Sequence, residues 1–354
     1  MKLTGELGAN NIKVTVFGTD GKSAGVKFTL GHEDVLHGKK GIFEVLEKKG
    51  LQLEEVKAFA LILPFGPEKA GEQEDLKEKI TNELEKLEEV YPSYIPFAVK
   101  FLRKLLAEKG KIPVSLHFDT AFFKELPEEE LYYAIPKNSS EKNKLKKSGY
   151  HGIYHSYAAG LCGKNKKIIS VVMDKKTTVA GSDNKIPQTI SLGSTPLEGI
   201  MSLTTSGDFD PGAAFYIMKK AGYSIHKMDE ILKKQSGFLG ITDYKMEMKD
   251  LLGLCGKDKK VNLAFDIYRN QILKYMGGTL AILSDVDAIV FSGAEADSLK
   301  VLIYDLMKQM SFLGIHLKES PWEKTDMHKE ISTSGSKIKI LINYKSMSEI
   351  VAEK

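Results

Sequence analysis

The chain repeats one order of segments in its two halves, and this repeat constrains the fold more than any other feature. In the first half, alternating apolar and polar residues at 12–17 and 25–30 predict the two strands of a hairpin, with a turn at 19–21. Apolar runs at 56–64 and 112–118 predict strands buried in a sheet. Helices are predicted where apolar residues recur at helical spacing, at 43–49, 72–90 and 97–109.

The second half follows the same order. Residues 167–173 and 177–181 predict another hairpin, and the apolar runs at 286–291 and 338–343 predict buried strands. Asp210 and Pro211 suit the N-cap and first position of a helix. Two hairpin-led α/β units in series predict a duplicated α/β architecture with a cleft between its halves. The helices predicted in this half lie at 212–221, 228–234, 261–283, 299–314 and 346–354.

Bulk composition excludes several classes of function. The 354 residues are 42% hydrophobic and 28% charged, which is typical of a soluble globular protein long enough for two domains. The net charge of +4 is spread along the chain and gives no basic patch for nucleic acid. No apolar run approaches the roughly 20 residues that cross a bilayer. Because Cys162 and Cys255 make no disulfide framework, we expect a cytoplasmic protein. From the charge and the short apolar runs, we expect neither nucleic-acid nor membrane partners.

The segment 194–211 carries the most specific motif. It reads STPLEG at 194–199 and TSGDFDP at 205–211. This segment resembles a signature of the acetate kinase family, in which TPLEG is followed after six residues by SGD(I/L)DP. In that family the residue before Ser-Gly-Asp is an arginine that steadies the transferring phosphoryl group. The corresponding residue here is Thr205.

Other blocks match the same family, in the same order, over about residues 8–352. They read FDTAF at 118–122, GYHGIYH at 149–155, KQSGFLG at 234–240 and DAIVFSG at 287–293. The resemblance implies the duplicated two-domain, ribonuclease H-like fold of actin, Hsp70 and sugar kinases, with an interdomain cleft that binds nucleotide. It places the first domain at 1–148, joined by a C-terminal helix at 344–354, and the second, on the nucleotide side, at 149–343.

The resemblance also implies a reaction and its ligands. The family transfers a phosphoryl group from ATP to acetate, giving acetyl phosphate and ADP, and uses Mg²⁺. Acetate is already ionised near neutral pH, so catalysis must mainly overcome the repulsion between a carboxylate and a triphosphate. The implied ligands are therefore a small carboxylic acid, ATP and Mg²⁺, and the implied assembly is a homodimer.

Four residues match functional positions of the family. Asp119 falls on the catalytic aspartate, and His151 falls on the histidine that stabilises the transition state. Lys13 matches a lysine that contacts nucleotide, although a surface lysine is an equal alternative in a chain with 49 lysines. Gly293 matches the first glycine of the adenosine-binding loop. The sequence assigns no metal ligand.

Several family positions carry different chemistry. A second arginine, which binds the substrate, falls near Ile62, and the two metal-site residues fall on Glu6 and on Met347 or Ser348. The glycine-rich phosphate loop falls on residues 172–176, where Asp-Lys-Lys replaces the glycines that let backbone N–H groups enclose a phosphate. Compensating lysine charge and an ordinary turn are alternative interpretations of this loop. Arg103 and Arg269, the chain's two arginines, lie outside the substituted positions.

Three hypotheses follow from this combination. The first is a divergent acetate kinase homologue whose transfer activity is weak or lost, in effect a pseudoenzyme. The second is an active acyl kinase, for acetate or propionate, with a site rebuilt around lysines. The third is a non-catalytic partner that regulates another protein or pairs with itself or with an active relative.

Overall fold

The computed structural model describes residues 1–18, 23–31, 42–48, 50–89, 91, 94–108, 110–142, 145–319 and 328–354. Contacts divide the chain into two compact units. Unit 1 comprises Met1–Lys124 and Ser346–Lys354, and unit 2 comprises Glu125–Lys345. The boundaries expected from the sequence, 1–148 and 149–343, remain a prediction, and the turn predicted at 19–21 lies outside the described residues.

Unit 1 is built on a six-stranded sheet with the strand order β3-β2-β1-β4-β6-β5. Strands β1, β2 and β3 are antiparallel, whereas β1, β4 and β6 are parallel, and β5 is an antiparallel edge strand. The strands are β1 (Lys2–Leu7), β2 (Asn11–Phe17), β3 (Ser23–Gly31), β4 (Ala58–Leu63), β5 (Gln73–Asp75) and β6 (Val114–Phe118). The helices are α1 (Ile42–Lys48), α2 (Glu78–Glu85), α3 (Ile95–Glu108) and α13 (Met347–Ala352).

The structure changes the sequence-based description of unit 1 at two places. A strand, β1, precedes the predicted opening hairpin and pairs with both β2 and β4. The helix predicted at 72–90 is wrong at its start, because Gln73–Asp75 form β5 and pair with β6. Pairing with the exposed edge of β6 overrides the local helical pattern, so the helix α2 begins only at Glu78.

Unit 2 is built on a second six-stranded sheet with the strand order β11-β12-β10-β7-β8-β9. Strands β7, β8 and β9 are antiparallel, β7, β10 and β12 are parallel, and β11 is an antiparallel edge strand. The strands are β7 (Lys167–Met173), β8 (Thr177–Asp183), β9 (Ile186–Ile190), β10 (Ala288–Ser292), β11 (His328–Glu330) and β12 (Lys339–Asn343).

The two sheets have the same topology. Read from one edge, each has three antiparallel strands in reverse chain order, then two further parallel strands, then one antiparallel edge strand. The duplicated α/β architecture predicted from the sequence is confirmed. Its physical basis is that each hairpin-led unit buries its own sheet under its own helices.

Four helices of unit 2 lie at or near the predicted ranges: α7 (Pro211–Ala221), α8 (Ile225–Lys234), α11 (Lys259–Leu283) and α12 (Lys300–Gln309), which ends before the predicted residue 314. The other five described helices of this unit are not predicted from the sequence. In α7, the Gly212 N–H donates to the Asp210 carboxylate at 2.8 Å and Pro211 takes the first helical position, which confirms the predicted cap. The long helix α11 packs on β8, and α6 packs on β7. No described helix is long and apolar enough to cross a membrane. The helices are α4 (Glu128–Leu131), α5 (Lys137–Lys142), α6 (Gly152–Leu161), α7 (Pro211–Ala221), α8 (Ile225–Lys234), α9 (Gly237–Thr242), α10 (Met248–Leu252), α11 (Lys259–Leu283) and α12 (Lys300–Gln309).

Candidate functional site

In unit 1, one row of residues crosses the face of the sheet. Glu6 on β1 is registered against Lys13 on β2 and Ile62 on β4, and Ile62 is registered against His117 on β6. Residues directly opposite each other in a sheet point to the same face. Asp119 follows β6 two residues after His117, and the alternation of strand side chains puts it on this face as well.

The members of this row differ in exposure. Asp119 is buried, and its backbone N–H donates to the Leu63 carbonyl at 2.8 Å, which holds it at the carboxyl ends of β4 and β6. Lys13 is exposed, whereas Ile62 is buried in the sheet. The position expected to hold the substrate arginine is therefore an apolar part of this face.

Helix α13 brings a hydroxyl group to the same row. The Ser348 hydroxyl donates to Glu6 Oε1 at 2.7 Å, although 342 residues separate the two in sequence. Helix α13 begins with a capping box, in which the Ser346 backbone N–H and the Glu349 backbone N–H are satisfied by reciprocal side-chain contacts. This cap fixes the first turn of the helix and with it the position of Ser348.

In unit 2, His151 sits at the N-cap of α6 in a left-handed backbone conformation, with φ of 62°. Its ring is buried, and its Nδ1 lies 2.9 Å from Thr178 Oγ1. The same hydroxyl lies 2.9 Å from Nε2 of His155, whose Nδ1 lies 2.9 Å from Ser170 Oγ. Ser170, His155, Thr178 and His151 thus form a continuous buried chain of hydrogen-bonding groups.

Burial makes both rings of this chain neutral at physiological pH. Burial lowers the pKa of His151 to about 4, with a smaller raising effect from the Asp174 carboxylate and a lowering effect from the Lys176 ammonium. Burial, together with the electrostatic effect of the His151 ring, holds the pKa of His155 well below its usual range. His151 can therefore act at neutral pH as an uncharged hydrogen-bond donor, but it does not supply a cation.

The loop between β7 and β8 contains the residues that replace the family's phosphate loop. Met173 pairs with Thr177, so Asp174, Lys175 and Lys176 form the connection. Lys175 is exposed, as in an ordinary turn, and its backbone N–H donates to the Asp174 carboxylate at 2.7 Å. Lys176 is different, because it is only 8% exposed and its ammonium donates to the Pro196 carbonyl. The loop is a short turn, as one interpretation expected, but Lys176 within it is buried and hydrogen-bonded.

The ammonium of Lys176 lies among acidic groups of the motif segment. Burial lowers the pKa of Lys176 to about 8, and the carboxylates of Asp208 and Glu198 oppose this shift. Asp208 accepts from the Gly199 N–H at 2.7 Å and from the Tyr275 hydroxyl at 2.5 Å. The segment from Pro196 to Asp208 thus has two fixed carboxylates beside one buried lysine.

Glu198 is held by a second group of side chains. Its Oε2 accepts from the Tyr133 hydroxyl at 2.5 Å, and its Oε1 lies 3.5 Å from the Lys147 ammonium. Lys147 also lies 3.2 Å from Glu130. Gly193 is required here, because a Cβ at this position would clash with the Glu198 carboxylate and the Tyr133 hydroxyl.

Thr205 occupies the position of the expected arginine and is tied into a local turn. Its hydroxyl lies 2.7 Å from Ser202 Oγ, and its carbonyl accepts from the Ser202 N–H at 3.0 Å. Arg103 and Arg269 are engaged elsewhere, in ion pairs with Glu85 and Asp266 respectively. Neither arginine supplies the missing guanidinium at this turn.

A sequence model of the Acetokinase family matches residues 7–352. The chain belongs to the acetate kinase family. It is 33% identical over 329 residues to acetate kinase of Thermotoga maritima, covering 88% of this chain and 80% of that protein. It is 32% identical over 326 residues to acetate kinase of Thermotoga petrophila, with the same coverage of 88% and 80%.

Solved structures of acetate kinases have the same fold. Acetate kinase from Porphyromonas gingivalis superimposes with a TM-score of 0.89 at 23% identity, covering 99% of this chain and 98% of that chain. Acetate kinase from Entamoeba histolytica gives a TM-score of 0.85 at 22% identity, covering 99% and 97%. The predicted actin-like and sugar kinase-like fold class is therefore confirmed.

Because the acetate kinase family uses Mg²⁺, its members need oxygen ligands for this ion. Magnesium prefers oxygen ligands and is usually held by one or two carboxylates, with waters and substrate phosphates completing its shell. The Glu6 carboxylate and the Ser348 hydroxyl, 2.7 Å apart, are a donor set of this kind. No group of three or more acidic, histidine or cysteine side chains suited to a metal occurs within the described residues. The Glu6 and Ser348 pair fits a magnesium ion that is shared with phosphate, rather than a closed protein cage.

The four residues singled out from the sequence fall into both units. Asp119 and Lys13 belong to unit 1, and His151 and Gly293 belong to unit 2. Gly293 directly follows β10 and has φ of 101°. A Cβ there would clash with the Met173 backbone, so the close approach of the two chain segments requires glycine. The roles of these four residues in catalysis and nucleotide binding remain predictions.

Sequence reasoning missed two features of the site. The first is the chain from Ser170 to His151, for which the only signal was the second histidine of the GYHGIYH block. The second is the pairing of Glu6 with Ser348, because each substitution by itself removes a metal ligand of the family. Considered together, the two substitutions keep one carboxylate and one neutral oxygen donor in contact.

Proposed function

We propose that this protein is an acyl-phosphate-forming kinase that transfers the γ-phosphoryl group of Mg-ATP to a small carboxylic acid with slow turnover. A carboxylate oxygen of the acid bonds to the γ-phosphorus, and the bond from that phosphorus to the β–γ bridging oxygen breaks. ADP leaves with the electron pair of that bond. The observation that carries the proposal is the match to the acetate kinase family over residues 7–352, together with Thr205 at the position expected to hold the arginine.

In unit 1, Glu6 and Ser348 would hold the magnesium ion, with Asp119 adding a second carboxylate to the same face of the sheet. Magnesium, when bound, neutralises charge on the phosphates that it contacts. Lys13 lies directly opposite Glu6 and is exposed, so its ammonium can reach a phosphate oxygen near this face. These residues support binding and orientation of the triphosphate.

In unit 2, His151 would donate a hydrogen bond to the transferring phosphoryl group. A neutral imidazole has one N–H, and the hydrogen bonds made by its other nitrogen determine where that proton resides. If Ser170 donates to His155 and His155 donates to Thr178, the Thr178 hydroxyl donates to Nδ1 of His151. The His151 proton then resides on Nε2. Thr178 and His155 are therefore positioning residues for the His151 tautomer.

Slow turnover follows from the missing cations. An arginine that stabilises the transferring phosphoryl group contributes about 10³ to 10⁵ in rate. Thr205 supplies only a short hydroxyl group that is bonded to Ser202, and Ile62 supplies an apolar side chain. Because losses within one catalytic unit are not additive, the two substitutions do not multiply. A measurable but reduced rate is the expected result.

We also propose that the protein is a cytoplasmic homodimer. Both cysteines, Cys162 and Cys255, are free thiols, as expected for a reducing compartment.

Helix α7 has no buried residue and exposes Phe215 and Tyr216 by 68% and 62%. A second copy of the chain could cover this apolar surface. Light scattering after size-exclusion chromatography should give twice the mass of the chain, and the double variant Phe215→Ser, Tyr216→Ser should shift it towards monomer; a monomeric parent protein would contradict the proposal.

The proposed reaction is tested by acyl phosphate formation with Mg-ATP and acetate, propionate or butyrate, trapping the product with hydroxylamine. Turnover that Asp119→Asn abolishes and that Asp75→Asn preserves is the expected result. Asp75 is a suitable control because it is an exposed aspartate of the same unit, beside Lys77. The absence of product with all three acids, at enzyme concentrations comparable to substrate, would contradict the proposal and favour a non-catalytic family member.

A further inference from the structure

Lys176 is a buried lysine whose position the family resemblance leaves unexplained. It replaces a residue of the glycine-rich phosphate loop, yet it is only 8% exposed. Lysine is almost never this buried unless its ammonium is paired or has a function. The three-residue connection between Met173 and Thr177 holds its backbone at the carboxyl end of β7.

The ammonium of Lys176 reaches the segment that carries the family signature. It donates to the Pro196 carbonyl, within STPLEG, and its charge interacts with Glu198 of that motif and with Asp208 of TSGDFDP. Its charge also acts on the ring of His151. Lys176 therefore brings a positive charge to the segment in which Thr205 has replaced a positive charge.

Neither neighbouring carboxylate depends on Lys176 alone. Glu198 is held by the Tyr133 hydroxyl and the Lys147 ammonium, and Asp208 is held by the Gly199 N–H and the Tyr275 hydroxyl. Structural neutralisation of these acids is therefore an incomplete explanation for a lysine in this place. Asp208 is exposed, so the edge of this cluster is open to a ligand from solvent.

We propose that Lys176 binds phosphate oxygens of Mg-ATP and contributes a positive charge to nucleotide binding. This inference rests on the proposed function and adds a residue to it. Lysine carries a compact charge with three donors on a flexible stem, and one donor is engaged by the Pro196 carbonyl. The other two N–H groups can turn towards a phosphate, which lysine binds as a point charge rather than by a bidentate contact.

The experiment measures Mg-ATP binding by calorimetry, without any acid acceptor, in the parent protein and in two loop variants. Lys176→Met should weaken Mg-ATP binding about 10- to 100-fold, as expected for the loss of a hydrogen-bonded charge. Lys175→Met, which removes the exposed lysine next to it, should leave the affinity within about twofold. Lys176→Arg should retain most of the affinity, and equal melting temperatures would show that all variants fold.

Proton uptake distinguishes phosphate binding from a purely structural role. With a pKa of about 8, Lys176 is half protonated at pH 8, and binding of an anion should complete its protonation, taking up about half a proton per Mg-ATP. The charged groups that act on it are Asp208 and Glu198, and its own charge acts on His151, which is neutral at this pH. Calorimetry in two buffers of different ionisation enthalpy measures the uptake, which Lys176→Met should abolish and Lys175→Met should not.

Adding an arginine completes the test. In the double variant Lys176→Met, Thr205→Arg, the arginine should restore part of the lost Mg-ATP affinity, because it returns a positive charge to the motif segment. Equal affinity and equal proton uptake in Lys176→Met and Lys175→Met would overturn the inference, as would a parent protein that does not bind Mg-ATP. If Mg-ATP binds through Lys176 but no acid is phosphorylated, the inference stands and the proposed function is contradicted.

Discussion

Thr178 and Thr4 offer a matched test of the buried hydrogen-bond chain beside His151. Both threonines are completely buried in strands, and valine has nearly the same shape as threonine. The Thr178 hydroxyl lies 2.9 Å from a nitrogen of His151 and 2.9 Å from a nitrogen of His155. The Thr4 hydroxyl has no hydrogen-bond partner within the described part of the chain. The same Thr→Val change should therefore have opposite consequences at the two positions.

The magnitudes follow from the number of groups that lose a partner. Thr178→Val removes the hydroxyl shared by two buried imidazole nitrogens, and each buried polar group left without its partner costs about 1–3 kcal/mol. We expect Thr178→Val to lower the free energy of unfolding by about 2–4 kcal/mol. Thr4→Val removes a buried hydroxyl that makes no bond, so it should be neutral or stabilise the protein by about 1 kcal/mol.

The assay is urea denaturation followed by circular dichroism, with acyl phosphate formation measured on the same samples. Thr178→Val should also lower kcat, because His151 would lose the group that fixes its tautomer, whereas Thr4→Val should leave kcat unchanged. Equal unfolding free energies for the two variants, within about 0.5 kcal/mol, would refute the hydrogen-bond chain. Loss of stability without loss of kcat would refute its role in positioning His151.

Two further predictions concern pH and metal binding. Burial lowers the pKa of both His151 and His117 to about 4, so the unfolded chain binds protons more readily, and stability should fall as pH falls from about 6.5 towards 4. Each histidine should contribute about 2 kcal/mol of this loss between pH 7 and 5, and a flat pH profile of unfolding free energy would contradict the assignment. Glu6→Gln should weaken binding of Mn²⁺, used as a paramagnetic substitute for Mg²⁺ in the presence of ATP, about tenfold by electron paramagnetic resonance, because a carboxylate becomes a neutral amide. Glu78→Gln, at an exposed position of α2, is the control, and equal Mn²⁺ affinities in the two variants would exclude Glu6 as a ligand.

The parts of the fold that could be predicted from the sequence depend on local patterns. The hairpin of β7 and β8 follows from alternation along two adjacent segments, and the start of α7 follows from Asp210 and Pro211. The edge strand β5 could not be found in this way, because its residues are charged and become a strand only by pairing with β6. Tertiary pairing determined the structure there, against the local pattern.

The same distinction applies to the site. The positions of Asp119 and His151 follow from contiguous motifs, so a sequence resemblance can propose them. The contact between Glu6 and Ser348 joins residues 342 positions apart, and the contact of Lys176 with the Pro196 carbonyl joins residues 20 positions apart. Neither contact lies within one motif. Substitutions that are separate losses in the sequence therefore become contacts in the folded chain, and we propose that these contacts partly replace the lost groups.

Acetate-dependent acyl phosphate formation by the parent protein and by Thr205→Arg tests the central claim most directly. The claim is that the chain retains the family reaction and that Thr205 limits its rate. We predict slow but measurable turnover in the parent protein and an increase in kcat of at least about tenfold in Thr205→Arg, part of the 10³ to 10⁵ that such an arginine contributes. Turnover in the parent protein that Thr205→Arg does not increase, or no turnover in either protein, would contradict the claim.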